Sequence, residues 1–98
     1  MFEVRETEAY SNWYTSLKSV QIQAKVLARV KRLSLGNPGD VQPVGEGVSE
    51  LRIHYGPGYR VYFVKRGNAI VVLLGGGEKS TQKEDIAAAK ATAKGLKE

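Results

Sequence analysis

Five side chains in the second half of the chain have the types and spacing to act on a phosphate group. Arg52 and His54 are two positions apart, Arg60 and Tyr62 likewise, and Lys79 follows an apolar run and three glycines. Side chains two positions apart share one face of an extended strand. If the two segments are neighbouring strands, Arg52, His54, Arg60 and Tyr62 form one polar cluster. Cations there can stabilise the charge that develops on phosphate oxygens in a phosphorane-like transition state. A histidine ordinarily exchanges protons near neutral pH. The pattern points to phosphoryl chemistry carried by side chains, with neither metal nor cofactor.

Composition removes several other chemistries. The chain has 98 residues, no cysteine and a single histidine. A disulfide framework, a thiolate nucleophile and a cysteine-based zinc site are excluded, and one histidine cannot form a histidine cluster. There is no GxxxxGK[ST] or GxGxxG pattern. Gly75-Gly76-Gly77 matches no phosphate-loop spacing and reads as a tight exit from a strand. Ser49, His54 and Asp40 could be arranged on paper as a triad, but no spacing supports it. Fifteen basic residues against ten acidic ones leave a net charge of +5, which suits an anionic partner such as nucleic acid. The N-terminus does not read as a signal peptide, and no apolar run approaches a membrane span. A soluble, cytoplasmic protein that does not engage a membrane is expected.

The elements that must position these residues follow from periodicity. Phe2–Arg5 alternates as a short strand. Thr7 reads as an N-cap, followed by Ala9, Tyr10, Trp13, Tyr14 and Leu17 at helical spacing. A second helix begins after Ser19, with Ile22, Val26, Val30 and Leu33 on one stripe, so the two form an αα-hairpin. Residues 36–47, rich in glycine and proline, read as a surface loop. The period then changes to two. Leu51, Ile53 and Tyr55 alternate with Glu50, Arg52 and His54; after a Gly56-Pro57-Gly58 turn, Tyr59, Val61 and Phe63 alternate with Arg60, Tyr62 and Val64. Gly67-Asn68 signals a two-residue hairpin. Residues 69–74 have no polar face and predict a strand covered on both sides, closed by the three glycines. Thr81 and Glu84 fit a capping box. Ile86, Ala89, Ala93 and Leu96 give the last helix a thin apolar stripe, which predicts the least firmly held element. One α+β domain over residues 1–98 is expected, with a small, mainly antiparallel sheet and the order β-α-α-β-β-β-α.

Charge is uneven along this framework. Residues 11–37 carry Lys18, Lys25, Arg29, Lys31 and Arg32 and no acid. A solvated helix face explains that run, and so does a surface that meets phosphates.

Two segments resemble a known family. Residues 50–63, ELRIHYGPGYRVYF, resemble the middle strands of the RelE/ParE toxin superfamily, and LLGGGEKSTQ at 73–82 resembles its HigB-like "addiction module killer protein" branch. The resemblance implies a RelE-like fold and the toxin of a type II toxin–antitoxin pair. Many members cleave mRNA in the ribosome: the 2′-hydroxyl attacks the adjacent phosphate, leaving a 2′,3′-cyclic phosphate and a 5′-hydroxyl. It implies that Arg60, in the GYR motif, stabilises the transition state. Lys79 contacts phosphate or protonates the leaving group, His54 is the candidate base, and Arg52 positions phosphate. Tyr62, Gln82, Arg29, Lys31 and Arg32 are the candidate RNA contacts. Members often carry a Tyr or His near the C-terminus beside the target base; residues 79–98 have neither, leaving Tyr62 or Tyr55 to take that part. The implied partners are the ribosome with its mRNA and a cognate antitoxin, usually a helix-turn-helix protein through which the complex meets operator DNA. A non-enzymatic inhibitor of DNA gyrase, as in the ParE branch, and an inactive binding module use the same fold.

Overall fold

Both helical starts are held by the side chains that their sequences offer. In a computed structural model that describes residues 1–96, the Tyr10 N–H donates to Thr7 Oγ1 at 3.2 Å and the Ile22 N–H to Ser19 Oγ at 3.3 Å. These caps satisfy backbone donors that the first helical turn cannot pair. Helix α1 spans Glu8–Ser16 and α2 spans Val20–Ser34, preceded by strand β1 at Glu3–Glu6.

Residues 36–47 are not one loop. Val41–Gly45 forms strand β2, paired antiparallel with β3, Val48–Ile53, through a bulge between Pro43 and Gly45. β2 is an edge strand, where a proline's missing N–H leaves no ladder bond unmade. The order is therefore β-α-α-β-β-β-β-α. Strand β4 is Tyr59–Arg66 and β5 is Ile70–Glu78. Arg66 faces Ile70, so their connection has three residues, 67–69, where two are predicted. β5 also runs through the three glycines instead of stopping before them. A short 3-10 turn, Lys79–Thr81, then leads into α3, Gln82–Lys94.

The five strands lie in the order β1-β5-β4-β3-β2, antiparallel except for the parallel β1–β5 pair. Alternation sends Leu51, Ile53, Val61, Phe63 and Leu73 to one face, against Tyr10, Val26 and Leu33 of the two N-terminal helices. The other face carries Val48, Tyr62, Val64, Val72 and Leu74 beneath Ala89 of α3. Val71–Leu74 are all buried, as a strand covered on both sides requires. Among the described residues no helix is long and apolar enough to cross a membrane.

The glycines at the end of β5 let both layers approach. The register with β4 slips between Tyr62 and Phe63, so Tyr62 faces Gly75, Val61 faces Gly76 and Arg60 faces Gly77. A Cβ on Gly76 would overlap the Trp13 ring, and one on Gly77 would overlap the Asp85 carboxylate. The capping box does not form. The 3-10 turn leaves Thr81 outside the extended conformation of a cap, at φ −113° and ψ 16°, with no side-chain capping bond. Its hydroxyl instead donates to Asp85 Oδ2 at 2.5 Å.

Candidate functional site

The β3–β4 register sets Arg52 opposite Arg60 and Glu50 opposite Tyr62. The two arginines thus share a sheet face, as alternation predicts, but a carboxylate lies between them. Glu50 is 3% exposed and Arg60 7%. Arg60 Nε lies 3.3 Å from Glu50 Oε1, and Arg52 Nε 3.9 Å from Oε2. Gln82, the first residue of α3, donates from Nε2 to Glu50 Oε1 at 3.0 Å. A buried carboxylate without partners would cost several kcal/mol, roughly, so two guanidiniums and an amide are what permit Glu50 to stay there. Composition and motif counting pass over Glu50. The signal available was an acid two positions before Arg52, hence on the same strand face.

A second acid organises the sheet end. The Arg52 N–H donates to the Asp40 carbonyl at 2.9 Å. The Asp40 carboxylate then meets Arg52 NH2 at 3.4 Å and His54 Nε2 at 2.5 Å. The bond from His54, aided by the charge of Arg52, holds the Asp40 carboxyl below its ordinary range against the opposing effect of burial. His54 lies just beyond the end of β3, and its side chain is 73% exposed. Ser49 is in register with Phe63, on the opposite face from Glu50 and Arg52, so no Ser/His/Asp triad assembles.

Lys79 comes to the same end. Its N–H donates to the Gly58 carbonyl at 2.9 Å. Gly58 has φ +82°, a conformation that glycine adopts without steric cost, and a Cβ there would lie 3.5 Å from Lys79 Cβ and 3.9 Å from Arg60 NH1. The Lys79 stem and one edge of the Arg60 guanidinium therefore flank a single point. Lys79 is exposed and has no ion-pair partner among the described residues. Arg60 is the opposite case, buried and paired.

The remaining candidates separate from this cluster. Tyr62 is fully buried beneath α3, so it offers no stacking surface; burial, with Glu50 adding, raises its hydroxyl above the ordinary range. Period-two alternation correctly put Tyr62 beside Arg60 but could not show that the last helix covers that face. Tyr55 belongs to the turn after β3, donates to Gln21 Oε1 at 3.2 Å and lies beneath Lys25 Nζ at 4.6 Å. The Arg29 guanidinium donates to the carbonyls of Arg52 and Pro38 at 2.7 and 2.9 Å, tying α2 to the site's supporting backbone. Lys31 and Arg32 are exposed in the last turn of α2, where cations complement the helix C-terminus. That helix end meets Phe2, whose N–H bonds the Ser34 carbonyl, away from Lys79. Among the described residues no three His, Asp or Glu side chains gather in a way that could hold a metal ion.

Residues 15–97 match the family described as "Phage derived protein Gp49-like (DUF891)". The chain is also 45% identical over 94 residues to an uncharacterized protein of Haemophilus influenzae, covering 96% of this chain and 95% of that one. The mixed five-stranded sheet, with two helices on one face and a C-terminal helix on the other, is compatible with the RelE-like fold. With most of its length matched, the chain belongs to the Gp49-like phage-derived family, which is in general a RelE/HigB-like toxin-type family.

Proposed function

We propose that this chain is the toxin of a type II toxin–antitoxin pair and that it inhibits translation by cleaving mRNA on the ribosome. The observation that supports this most is the convergence of Arg60 NH1 and Lys79 on the Gly58 turn, at the same sheet end as the His54–Asp40 pair. In this reading the scissile phosphate sits against Lys79 and the NH1 edge of Arg60. His54, oriented by Asp40, removes the proton from the ribose 2′-hydroxyl. The 2′-oxygen bonds to phosphorus, the bond to the 5′-oxygen breaks, and Lys79 protonates the departing oxygen. The products are a 2′,3′-cyclic phosphate and a 5′-hydroxyl. Arg60 stabilises the charge on the non-bridging oxygens, and Arg52 helps to hold the substrate phosphate. Glu50 keeps Arg60 in place. The protein works in the cytoplasm, where ribosomes are. Its antitoxin carries an acidic helical segment that complements the basic α2 surface, and operator DNA is met only through the antitoxin's helix-turn-helix.

Purified ribosomes programmed with a defined mRNA, read by primer extension, test this. Arg60→Ala and Lys79→Ala are each expected to slow cleavage by about 100-fold or more, the usual cost of losing one electrostatic stabiliser of a transition state. Undiminished cleavage in both variants would falsify the assignment. A supercoiling assay supplies the contrast: gyrase inhibition without RNA cleavage replaces the nuclease reading with a ParE-like one.

A further inference from the structure

We infer that Gln82 is a positioning residue: its amide ties the turn that carries Lys79 to the carboxylate that holds Arg60, and so fixes the spacing of the two cations. The inference rests on the RNA-cleaving reading and adds to it the contact that locks the site together.

The amide orients Glu50, where the arginines only attract it. Arg60 Nε lies 3.3 Å from Glu50 Oε1 and Arg52 Nε 3.9 Å from Oε2, yet neither Nε makes a hydrogen bond among the described residues. Gln82 Nε2 does make one, to Oε1 at 3.0 Å. The Tyr62 hydroxyl, on the residue opposite Glu50, is buried and has no hydrogen-bond partner among the described residues either. Attraction between charges tolerates many angles, whereas a hydrogen bond weakens steeply once it bends. Gln82 therefore sets the direction of the carboxylate, and it holds the oxygen that faces Arg60. Without that bond the same carboxylate can turn toward Arg52, its neighbour on β3.

Gln82 also holds the other half of the site. Its backbone N–H donates to the Lys79 carbonyl and closes the 3-10 turn. The Lys79 N–H donates to the Gly58 carbonyl at 2.9 Å, and Gly58 stands two residues before Arg60. The contacts run in a closed ring: Gly58 to Lys79, Lys79 to Gln82, Gln82 to Glu50, Glu50 to Arg60, and back along the chain to Gly58. A ring fixes distances that an open series of contacts leaves variable. The amide closes it, as the one side-chain hydrogen bond between α3 and β3 among the described residues. The Thr81 hydroxyl bonds to the Glu78 carbonyl and to Asp85, both within residues 78–85, so it stiffens the turn without reaching Arg60.

Direct contact with RNA is the competing role. That role needs the amide to face the nucleic acid, and here the side chain is half-buried with its amide donated to Glu50. Catalysis depends on such spacing, since a shift of about 1 Å can cost on the order of 100-fold in rate.

The test reads position and rate separately in the full chain. Solvent exchange of the Arg60 Nε–H is followed by NMR, with the Arg29 guanidinium, bonded to two backbone carbonyls, as the internal reference. Gln82→Met keeps the side-chain length and Gln82→Ala removes it. Each is expected to speed Arg60 exchange by about fivefold or more, as a loosened contact opens more often, with Arg29 unmoved. On programmed ribosomes each should lower kcat by about tenfold, the size of one hydrogen bond to a charged group, with KM within about twofold of the parent. Lys83→Met, at the exposed next position, should leave both readouts at the parent values. Arg60 exchange or kcat at the parent value in both Gln82 variants overturns the inference and leaves the nuclease reading standing. A raised KM with kcat unchanged makes Gln82 an RNA contact, which also overturns it. A parent chain that cleaves no mRNA on ribosomes overturns both.

Discussion

The two faces of the sheet are built on different principles. The face beneath α1 and α2 is closed by large apolar side chains, Tyr10, Val26, Leu33, Leu51, Val61 and Leu73 among them. The face beneath α3 has a thinner apolar layer in which Ala89 is the one fully buried residue of the helix, and next to it lie the buried Glu50 and Arg60. Burial of a Val, Leu or Phe side chain contributes about 1.5–3 kcal/mol, so the first face stabilises the fold. The second gives up much of that gain to accommodate charge. The contrast shows how a domain of this size separates stability from chemistry: one surface is optimised for packing, and the other keeps an arginine dry, paired and aimed.

The largest expected effect sharpens that contrast on the charged side. Arg60→Lys keeps a cation but loses the planar fork whose Nε meets Glu50 while NH1 lies toward the Gly58 turn. Cleavage on programmed ribosomes should fall by roughly 100-fold, with thermal unfolding much less affected. On the packed face, Leu51→Ala should cost about 2–5 kcal/mol in urea unfolding, while the cleavage rate per folded molecule stays near the parent value. A reversal of these two outcomes would break the division of labour. Glu50→Gln lies between them. It leaves the buried Arg60 guanidinium, and the half-buried Arg52 beside it, without their shared carboxylate and should lower stability by about 1–3 kcal/mol while also slowing cleavage, because Arg60 loses its anchor.

A smaller effect concerns pH. The Asp40 carboxyl is lowered in the folded protein, first by the His54 hydrogen bond and then by Arg52, against burial. Its stabilisation is fully present above the ordinary value of 3.8 and fades as pH falls from there through the lower folded value. Asp40→Asn should therefore lower stability modestly at neutral pH, leave it nearly unchanged below the folded value, and so flatten the acid limb of the stability curve. The smallest effect is on α3. Glu46 meets Lys90 at 3.6 Å and Lys94 at 3.1 Å, an exposed linkage of the β2–β3 turn to the helix. Glu46→Gln should speed amide exchange in the last turns of α3 with little change in global melting, since surface ion pairs contribute little.

Much of this was legible in the chain. Thr7 and Ser19 announced two helices, and the change from period 3.6 to period two marked where the sheet begins. Alternation put Arg52 and Arg60 on a common face and buried Leu51, Ile53, Val61 and Phe63 on the other. Strand β2 was hidden because Gly36, Pro38, Gly39, Pro43, Gly45 and Gly47 read locally as loop. Pairing with β3 overrides that preference at an edge, where Pro43 costs no ladder bond. The capping box failed because the 3-10 turn at Lys79–Thr81 changed the backbone at Thr81, and a local motif cannot register that. Tyr62 and Gln82 were candidates for RNA, but α3 buries the first and spends the amide of the second on Glu50.

By itself the sequence determined the element types except β2 and the 3-10 turn, the sheet's inward and outward faces, the basic surface of α2 and the presence of Arg60 and Lys79 after their turns. Those properties depend on neighbours a few residues apart, where periodicity and caps act. Only the tertiary structure decided that Glu50 stands between Arg52 and Arg60, that Asp40 holds His54, and that Gly58 brings Lys79 to Arg60. Apart from the Glu50–Arg52 pair on one strand, these contacts join residues 10 to 32 positions apart in the chain, and their geometry follows from strand register and from which face the last helix covers.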